Sequence, residues 1–410
     1  MKKSGIQYLL LWLFLVGTVV AISTLSPKTP SAPAQNAKDL LPVPTAMPTI
    51  VPVTKEEEEF VGIWIPYMSL SVRENTPEAF QKNFFQLAIK AKELGVNNLF
   101  VHVRPFSDAL YPSKYYPWSH IVSGKQGEDP GFDPLEYMIQ ITHEQGMKFH
   151  AWINPLRVKT ERTPPLLAED NPYTQMSQSN PYYFLTVGGN TYLNPAYSEM
   201  RKLITDGVGE IVQDYPVDGI HFDDYFYPEG IKEQDGEDYA AYCENAENPL
   251  SLGDWRIANI NTMIAQVYRE IKSVRPEVSF GISPQGNINN NKALGADVFS
   301  WCSTKGYIDY ICPQIYFSYE NPALGFQEAM VAWLELPAHE NLKMYIGLGL
   351  YKAGTDSDGG TWQQEDDIIA RQIEEVRKLK CDGFVLYDIS AAKSEAASAE
   401  IANMEKVLHG

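Results

Sequence analysis

The chain has 410 residues, of which 44% are hydrophobic, and its 52 acidic residues against 33 basic ones give a formal net charge of -19 at pH 7. Such an acidic chain repels phosphate backbones and anionic lipid surfaces, so the composition argues against a nucleic-acid partner. The length suits one barrel of about 250 residues or more with insertions, or two ordinary domains.

The N-terminal 25 residues resemble an export signal. Lys2 and Lys3 precede an uncharged apolar run over residues 8–25, the arrangement of a signal peptide or of an N-terminal membrane anchor. An uncleaved anchor is favoured, because the run is long for a signal peptide and the only nearby Ala-x-Ala contains Pro33. Residues 26–57, rich in Pro, Ala and Thr, are predicted to form a flexible linker. We therefore expect an extracytoplasmic protein, secreted or anchored to the membrane by residues 1–25.

From residue 58 to residue 410, apolar strand-like runs alternate with amphipathic helical runs, the pattern of a parallel sheet with crossover helices. Each strand candidate is apolar almost throughout, as expected when both faces are buried. The predicted strands are 62–66, 98–105, 148–155, 219–225, 278–284, 310–316, 344–351 and 383–389. An open doubly wound sheet would normally have a glycine-rich turn after its first strand, and residues 65–68 contain no glycine. Eight regular units predict an α/β fold, a closed (β/α)8 TIM barrel.

Helix boundaries are marked by capping residues. Thr76-Pro77 and Asp133-Pro134 predict helix starts, and Gly95 and Gly146 predict the corresponding ends. The later helices are predicted to begin at Asn194-Pro195, Asp254, Lys292, Pro322, Glu365 and Ser398. Long connections at 105–132, 156–193 and 226–252 are expected to lie over the C-terminal ends of the strands, where they can build a substrate cleft.

The fourth strand carries the strongest catalytic candidates, because Asp223 and Asp224 end an otherwise apolar run. Buried charge is costly unless it is paired or used. Strand alternation puts His221, Asp223 and Tyr225 on one face, predicted to point inward. Arg104 is expected to keep Asp223 ionised, and His221 to shuttle a proton or to bind a sugar hydroxyl. Two structural readings stay open: Asp223 pairs with Arg104 or His221 in a polar plug, and Asp224 caps a loop.

Glycoside hydrolysis needs one carboxylate to attack or stabilise an oxocarbenium-like centre and an acid to protonate the leaving oxygen. Asp223 fits the first role. Asp224 is the first choice for the acid, with Asp108, Glu320 and Asp388 as the other candidates. Residues at the remaining strand ends are predicted to bind substrate, by stacking or through hydroxyl and amide contacts. The predicted substrate-binding residues are Trp64, Arg104, Asp108, Trp152, Asn154, His221, Tyr225, Ser283, Gln285, Gln314, Tyr316 and Tyr387.

Ordered motifs along residues 60–351 identify a family resemblance. They include Gly62-Ile63-Trp64, Val103-Arg104-Pro105, the stretch 150–157, Tyr192-Leu193-Asn194-Pro195, the stretch 218–228, Gly281-Ile282-Ser283-Pro284 and Pro313-Gln314-Ile315-Tyr316. The chain resembles the glycosyl-hydrolase-like family 10, also called DUF187. The resemblance implies a (β/α)8 barrel, an envelope location and glycosidase action on glycan strands, with peptidoglycan as the substrate class. The fourth strand is also similar to the nucleophile strand of the alpha-amylase superfamily, and to a chitinase strand whose terminal Glu is replaced here by Tyr225.

The leading hypothesis is thus a glycosidase acting on a cell-envelope polysaccharide, most directly the glycan strands of peptidoglycan, without a cofactor or a metal ion. One alternative is a catalytically inactive barrel that binds wall glycan, because the second catalytic carboxylate is poorly marked. Another is a metal-dependent hydrolase or deacetylase that uses Asp223, Asp224 and His221 as ligands. Three ligands on one strand are too cramped for that chemistry.

Overall fold

The computed structural model describes residues 58–232 and 234–409, and the predicted N-terminal anchor and linker lie outside these residues. Eight parallel strands form a closed barrel, in which the last strand pairs with the first and Phe60 lies opposite Gly383. We number the barrel strands β1 Phe60–Ile65, β2 Asn98–Arg104, β3 Lys148–Ile153, β4 Gly219–Phe222, β5 Ser279–Ile282, β6 Tyr310–Ile311 with Gln314–Ile315, β7 Lys343–Leu348 and β8 Gly383–Leu386. The predicted (β/α)8 barrel is confirmed.

The principal helices are α1 Pro77–Glu93, α2 Pro134–Glu144, α3 Ser198–Asp214, α4 Leu252–Val274, α5 Val298–Ser303, α6 Phe326–Leu334, α7 Ile368–Lys378 and α8 Ser398–His409. The capping predictions hold for α1 and α2: the Thr76 side chain accepts the N–H of Ala79, and that of Asp133 accepts two N–H groups. Gly95 and Gly146 follow with positive φ. Among the described residues, no helix combines the length and the apolar character needed to cross a membrane.

Four helices begin later than the sequence predicts: α6 begins at Phe326 and not at Pro322, α7 begins at Ile368 and not at Glu365, and α3 and α5 are also delayed. α3 begins at Ser198, because the Asn194 side chain accepts the N–H of Ala196 and holds a turn before the helix. Lys292 lies in a 3-10 segment, Ile288–Leu294, which ends at Gly295 with φ of 75°, and α5 starts only at Val298. At α3 and α5 a side-chain or glycine turn near the barrel mouth replaces the first helical turn.

Three connections build the mouth of the barrel. The β3–α3 connection folds into an antiparallel sheet of Arg157–Lys159, Phe184–Val187 and Asn190–Leu193. The β4–α4 connection contains a helix at Gly236–Asn245, and the β2–α2 connection contains one at His120–Ser123. Shorter helices at Tyr67–Leu70, Pro172–Met176 and Thr361–Gln364 complete this face. The connections that the sequence assigns to the mouth thus follow β2, β3 and β4.

The barrel interior is aromatic, and glycines on neighbouring strands make room for its rings. A Cβ on Gly219 would lie 2.2 Å from the His150 ring, and one on Gly281 would lie 2.2 Å from the Tyr310 ring. Cys312 is buried among these rings as a free thiol. The aliphatic side chains on the other strand faces pack against the helices. Two hydrophobic layers therefore fix the strands, one inside the barrel and one around it.

Four residues at the base of the barrel repeat one hydrogen-bond pattern, and we call them the base residues. They are Asn97, Asp218, Asp309 and Asp382, each immediately before an even-numbered strand. The side chain of each accepts a backbone N–H of the preceding strand, from Val61, Phe149, Phe280 and Met344 at 2.7–3.0 Å. The N–H of each base residue donates back to the carbonyl of the same partner. Every odd-numbered strand is thereby tied to the next even one.

The base residues make a testable contribution to stability. Asp309 also pairs with Lys272 at 2.7 Å, so Asp309→Ala removes an ion pair and leaves the N–H of Phe280 without its side-chain acceptor. We expect the free energy of unfolding, measured by urea denaturation, to fall by about 1–3 kcal/mol. Asp309→Asn should cost clearly less, because Asn97 performs the same task with an amide. Equal losses in the two variants, or a similar loss in the exposed control Glu328→Ala, would contradict this explanation.

Candidate active site

Asp223 lies just beyond β4, at the barrel mouth, and its side chain is held from the neighbouring strand. The residue is 3% exposed. Trp152 Nε1 donates to its Oδ2 at 3.0 Å, and Asn154 Nδ2 donates to the same oxygen at 3.3 Å. Its Oδ1 accepts only a long bond, 3.4 Å, from the N–H of Tyr225. One carboxyl oxygen is therefore fixed by two donors, which leaves the other for chemistry.

The electrostatic environment of Asp223 favours its protonated form. Burial and the charge of Asp224 raise its pKa, the Arg157 guanidinium and the Trp152 N–H lower it, and the net value is about 7. A carboxyl group with this pKa changes charge in the neutral range, and such perturbed groups concentrate at functional sites.

Asp224 is the more accessible of the two carboxyl groups. Its Oδ1 accepts a hydrogen bond from Gln314 Nε2 at 3.0 Å, and burial raises its pKa. It lines a cleft of about 280 Å³ together with Tyr225, Tyr227, Glu229 and Gln285, and the Val187–Asn190 turn forms the opposite wall. Asp224 can therefore meet a ligand that enters this cleft, and Gln314 sets its orientation.

Arg157, which the sequence analysis did not single out, is the cation at this site. It follows β3 by four residues, and its Nε donates to the carbonyl of Pro105 at 3.0 Å. The guanidinium lies 4.9 Å from the ring centroid of Phe106 and 4.8 Å from that of Tyr225. A basic residue just after a strand end, beside Asn154-Pro155, is the signal that could have identified it.

His102 is a second residue that the sequence analysis missed. Its ring stacks on that of Trp152 with centroids 3.8 Å apart, and neither ring nitrogen has a hydrogen-bond partner in the structure. Burial lowers its pKa well below the ordinary value, and the charge of Arg157 lowers it further, so the ring is neutral at pH 7. His102 thus supports Trp152, which in turn holds Asp223. The alternation of β2 marks His102 as an inward residue.

The structure corrects the predicted roles of His221, Trp64 and Ser283. His221 is fully buried, with Nδ1 2.9 Å from the hydroxyl of Tyr310 and Nε2 3.0 Å from that of Ser283. Trp64, 1% exposed, also donates to Nε2 of His221. Burial lowers the pKa of His221 well below its usual value. These side chains are a hydrogen-bonded plug below the mouth and do not meet substrate.

The predicted role of Arg104 is also wrong. The register of β2 shifts between His102 and Arg104, and this irregularity turns Arg104 away from the barrel axis. Its guanidinium lies 4.5 Å from the ring centroid of Tyr116, and a Cβ on Gly207 of α3 would lie 2.5 Å from its Nη1. Arg104 therefore packs between barrel and helix, 1% exposed, and the cation that acts on Asp223 is Arg157.

The other candidate acids stand outside the cleft or are engaged elsewhere. Asp108 is fully buried, where it accepts from Gln126 at 3.0 Å and lies 3.3 Å from His120, so it cannot bind substrate as predicted. Asp388 caps the segment after β8 by accepting the N–H of Ser390 at 2.7 Å. Glu320 is exposed in the β6–α6 connection. Asp223 and Asp224 thus remain the carboxyl pair of the mouth.

The remaining predicted binders occupy two positions. Trp152 and Asn154 are almost completely buried and act on Asp223, so they position it and do not form a stacking wall. Tyr225, 49% exposed, lies at the rim. Tyr316 and Tyr387 are half-buried and stack on each other, with ring centroids 5.3 Å apart. Gln285 and Gln314 flank Asp224. The rim therefore combines aromatic faces with amides, a surface that suits sugars.

Within residues 58–232 and 234–409, no three His, Cys, Asp or Glu side chains are grouped as a metal site. The proposed ligand set of Asp223, Asp224 and His221 fails for a geometric reason. Both ring nitrogens of His221 already contact Tyr310, Ser283 and Trp64, and the ring lies below the mouth. Free lone pairs for a metal ion are therefore absent on this histidine.

Comparisons with known proteins agree with the sequence motifs. The family described as Glycosyl hydrolase-like 10 matches residues 59–363. Glycosyl hydrolase YngK of Bacillus subtilis is 34% identical over 77% of this chain and 63% of its own length. Glycosyl hydrolase DigH of Escherichia coli K12 is 36% identical over 72% of each chain. The chain thus spans less than two thirds of YngK.

Two solved structures share the fold at low sequence identity. The glycoside hydrolase domain of PgaB (BpsB) from Bordetella bronchiseptica superposes with a TM-score of 0.57 and 14% identity, covering 84% of this chain and 98% of that domain. A beta-galactosidase from Rahnella sp. R3 gives a TM-score of 0.57 and 12% identity, covering 87% of this chain and 56% of that one. These similarities establish the barrel architecture.

Proposed function

The chain belongs to the glycosyl hydrolase-like 10 family, and on that premise we propose that it is a glycoside hydrolase that cleaves a cell-envelope polysaccharide, the glycan strands of peptidoglycan. The observation that supports the proposal most strongly is the pair of adjacent carboxyl groups where the chain leaves β4, the buried Asp223 and the half-buried Asp224, with a cleft reaching Asp224. The names of the YngK and DigH relatives support a glycosidase. The proposed location, outside the cytoplasm on an N-terminal anchor and tether, rests on residues 1–57.

The proposed chemistry divides two tasks between the pair. Asp223, with one oxygen fixed by Trp152 and Asn154, attacks or stabilises the anomeric carbon through its other oxygen. Asp224, which faces the cleft and has a raised pKa, gives its proton to the leaving glycosidic oxygen. The two carboxyl groups are electrostatically coupled, because the charge of Asp224 raises the pKa of Asp223.

The test is digestion of purified peptidoglycan by the purified protein. We expect soluble fragments and new reducing ends, identified by mass spectrometry, from the wild type and none from Asp223→Asn. Chitin, cellulose and dextran serve as comparison substrates. Cleavage of one of these glycans and not of peptidoglycan would overturn the proposal that peptidoglycan is the substrate. Glycan that is bound in sedimentation assays and never cleaved would instead identify an inactive binding barrel.

A further inference from the structure

Arg157 is held rigidly at the mouth by contacts that leave its charge uncompensated. The Phe106 and Tyr225 rings lie on the guanidinium, and the Pro105 carbonyl accepts from Nε. Stacking of a guanidinium on aromatic faces fixes its plane and leaves its edge for ligands. The residue is half-buried. Its position next to Tyr225, two residues after Asp223, places this edge beside the catalytic pair.

Four other arginines of the described chain have carboxylate partners, whereas Arg104 and Arg201 have none within 4.0 Å. Arg256 pairs with Asp235, Arg275 with Glu277, Arg371 with Glu365 and Asp367, and Arg377 with Glu59. Within the residues that the structure describes, Arg157 has no carboxylate within 4.0 Å, and the one hydrogen bond that its side chain donates uses Nε. The terminal nitrogens, which form the bidentate fork of an arginine, are thus not committed to a protein acceptor.

Asp223 does not take the place of such a partner. Its Oδ2 is occupied by Trp152 and Asn154, and no ion pair within 4.0 Å joins it to Arg157, although the Arg157 charge lowers its pKa. The other groups that face Arg157 are Tyr225, Tyr192 and His102, which are neutral at this pH. Arg157 therefore has no directly paired carboxylate in the structure, and a ligand can supply one.

We propose that Arg157 binds a carboxylate of the substrate and makes the enzyme selective for glycans that carry an acidic sugar at the cleavage site. The inference rests on the proposed glycosidase function and specifies it. The fitting groups are the lactyl carboxylate of a muramic acid unit and the C6 carboxylate of a uronic acid, which offer the same two oxygens to the guanidinium fork. Because the chain has a net charge of -19, this local cation is what offsets the repulsion that an acidic glycan meets elsewhere.

The experiment compares two forms of one substrate. Glycan strands with free lactyl carboxylates are divided, and in one half the carboxyl groups are reduced to alcohols with carbodiimide and borohydride. We expect kcat/KM of the wild type to be about 10- to 100-fold higher for the acidic form, the range of a charge-assisted bidentate contact. A uronic-acid oligosaccharide and its reduced form distinguish the second carboxylate source from the first.

Variants at Arg157 test whether this residue carries the selectivity. In Arg157→Gln the ratio of the two kcat/KM values should fall to near one, and Arg157→Lys should keep an intermediate ratio because it retains charge without the fork. Arg371→Gln is the matched control, since Arg371 also lies over an aromatic ring, that of Tyr319 at 4.9 Å. It should leave the ratio unchanged. The ratio is measured at several pH values, so a change in the pKa of Asp223 cannot mimic the result.

The outcomes separate this inference from the proposed function. A wild type that cleaves acidic and reduced glycans equally well, or an Arg157→Gln variant that keeps the full preference, overturns the role of Arg157 and leaves the glycosidase intact. A wild type that cleaves neither form, nor any other glycan, overturns the function itself. Thermal unfolding of each variant identifies a folding defect, and in that case the Arg157→Lys variant decides the question.

Discussion

Asp223→Asn should abolish glycan cleavage and at the same time make the folded chain more stable in alkaline solution. We expect a loss of at least about 10³-fold in kcat/KM, because the substitution removes the group that attacks or stabilises the anomeric carbon. The amide oxygen can still accept the bonds from Trp152 and Asn154. The loss should be the same on natural glycans and on aryl glycosides with good leaving groups. Initial rates on both substrates check this result.

The stability effect has a defined sign and pH window. The pKa of Asp223 in the folded chain, about 7, lies above the value of about 3.9 for an unfolded aspartate, so the wild type loses stability as pH rises between these values. Asn does not titrate. The free energy of unfolding of Asp223→Asn should therefore exceed that of the wild type by an amount that grows over the same pH window and levels off above about pH 8, with about 4 kcal/mol as an upper limit. Urea denaturation at pH 4.5 and pH 8.5 measures it. Glu320→Gln, at an exposed position, should show no such difference; a pH-independent gain in Asp223→Asn would contradict the raised pKa.

Asp224→Asn should differ from Asp223→Asn in how strongly its rate depends on the leaving group of the substrate. If Asp224 protonates the leaving oxygen, its loss should slow cleavage of natural glycans by about 10²- to 10⁴-fold, and aryl glycosides with acidic leaving groups by less than about 10-fold, because they depart without a proton. The alkaline limb of the pH–rate profile should disappear in the variant. Steady-state rates on a series of leaving groups measure both effects.

The control for Asp224 is Asp388→Asn, because Asp388 caps the backbone N–H of Ser390 after β8 and an amide oxygen can accept the same bond. It should retain activity within about 5-fold on both substrates. An Asp224→Asn variant that slows both substrate classes equally would reject Asp224 as the acid. The reverse pattern, with leaving-group rescue in Asp223→Asn, would exchange the two roles.

The barrel could be predicted from the sequence because each strand is an apolar run flanked by capping signals. The ends of the strands were predicted less accurately. The fourth strand was expected to reach Tyr225 and stops at Phe222. Beyond it, Asp223 is held by the side chains of Trp152 and Asn154 and does not continue the backbone hydrogen bonds of the sheet. Asp223 and Asp224 were identifiable because charge at the end of a buried run is unusual. These features are local in sequence.

The direction in which a side chain points at the mouth depends on contacts between residues that are distant in sequence. These directions could not be predicted from the sequence alone. Strand alternation points Arg104 inward, but the irregularity after His102 turns it toward α3. Trp64 looks the same in sequence whether it lines a cleft or bonds to His221 inside the barrel. Arg157 was overlooked because its position depends on Phe106 and Tyr225, which belong to two other connections.

The four base residues give the barrel an internal modularity. Each ties an odd-numbered strand to the even-numbered strand that follows it, so each tie lies within one strand–helix–strand unit of consecutive sequence. A duplicated or exchanged unit would carry its own tie with it and would need only backbone ladders to join its neighbours. Among the described residues, the mouth of the barrel shows no such repeat, because Asp223, Trp152 and Arg157 each have different partners. The fold thus combines a modular base, suited to growth by duplication, with a mouth whose parts cannot be exchanged one unit at a time.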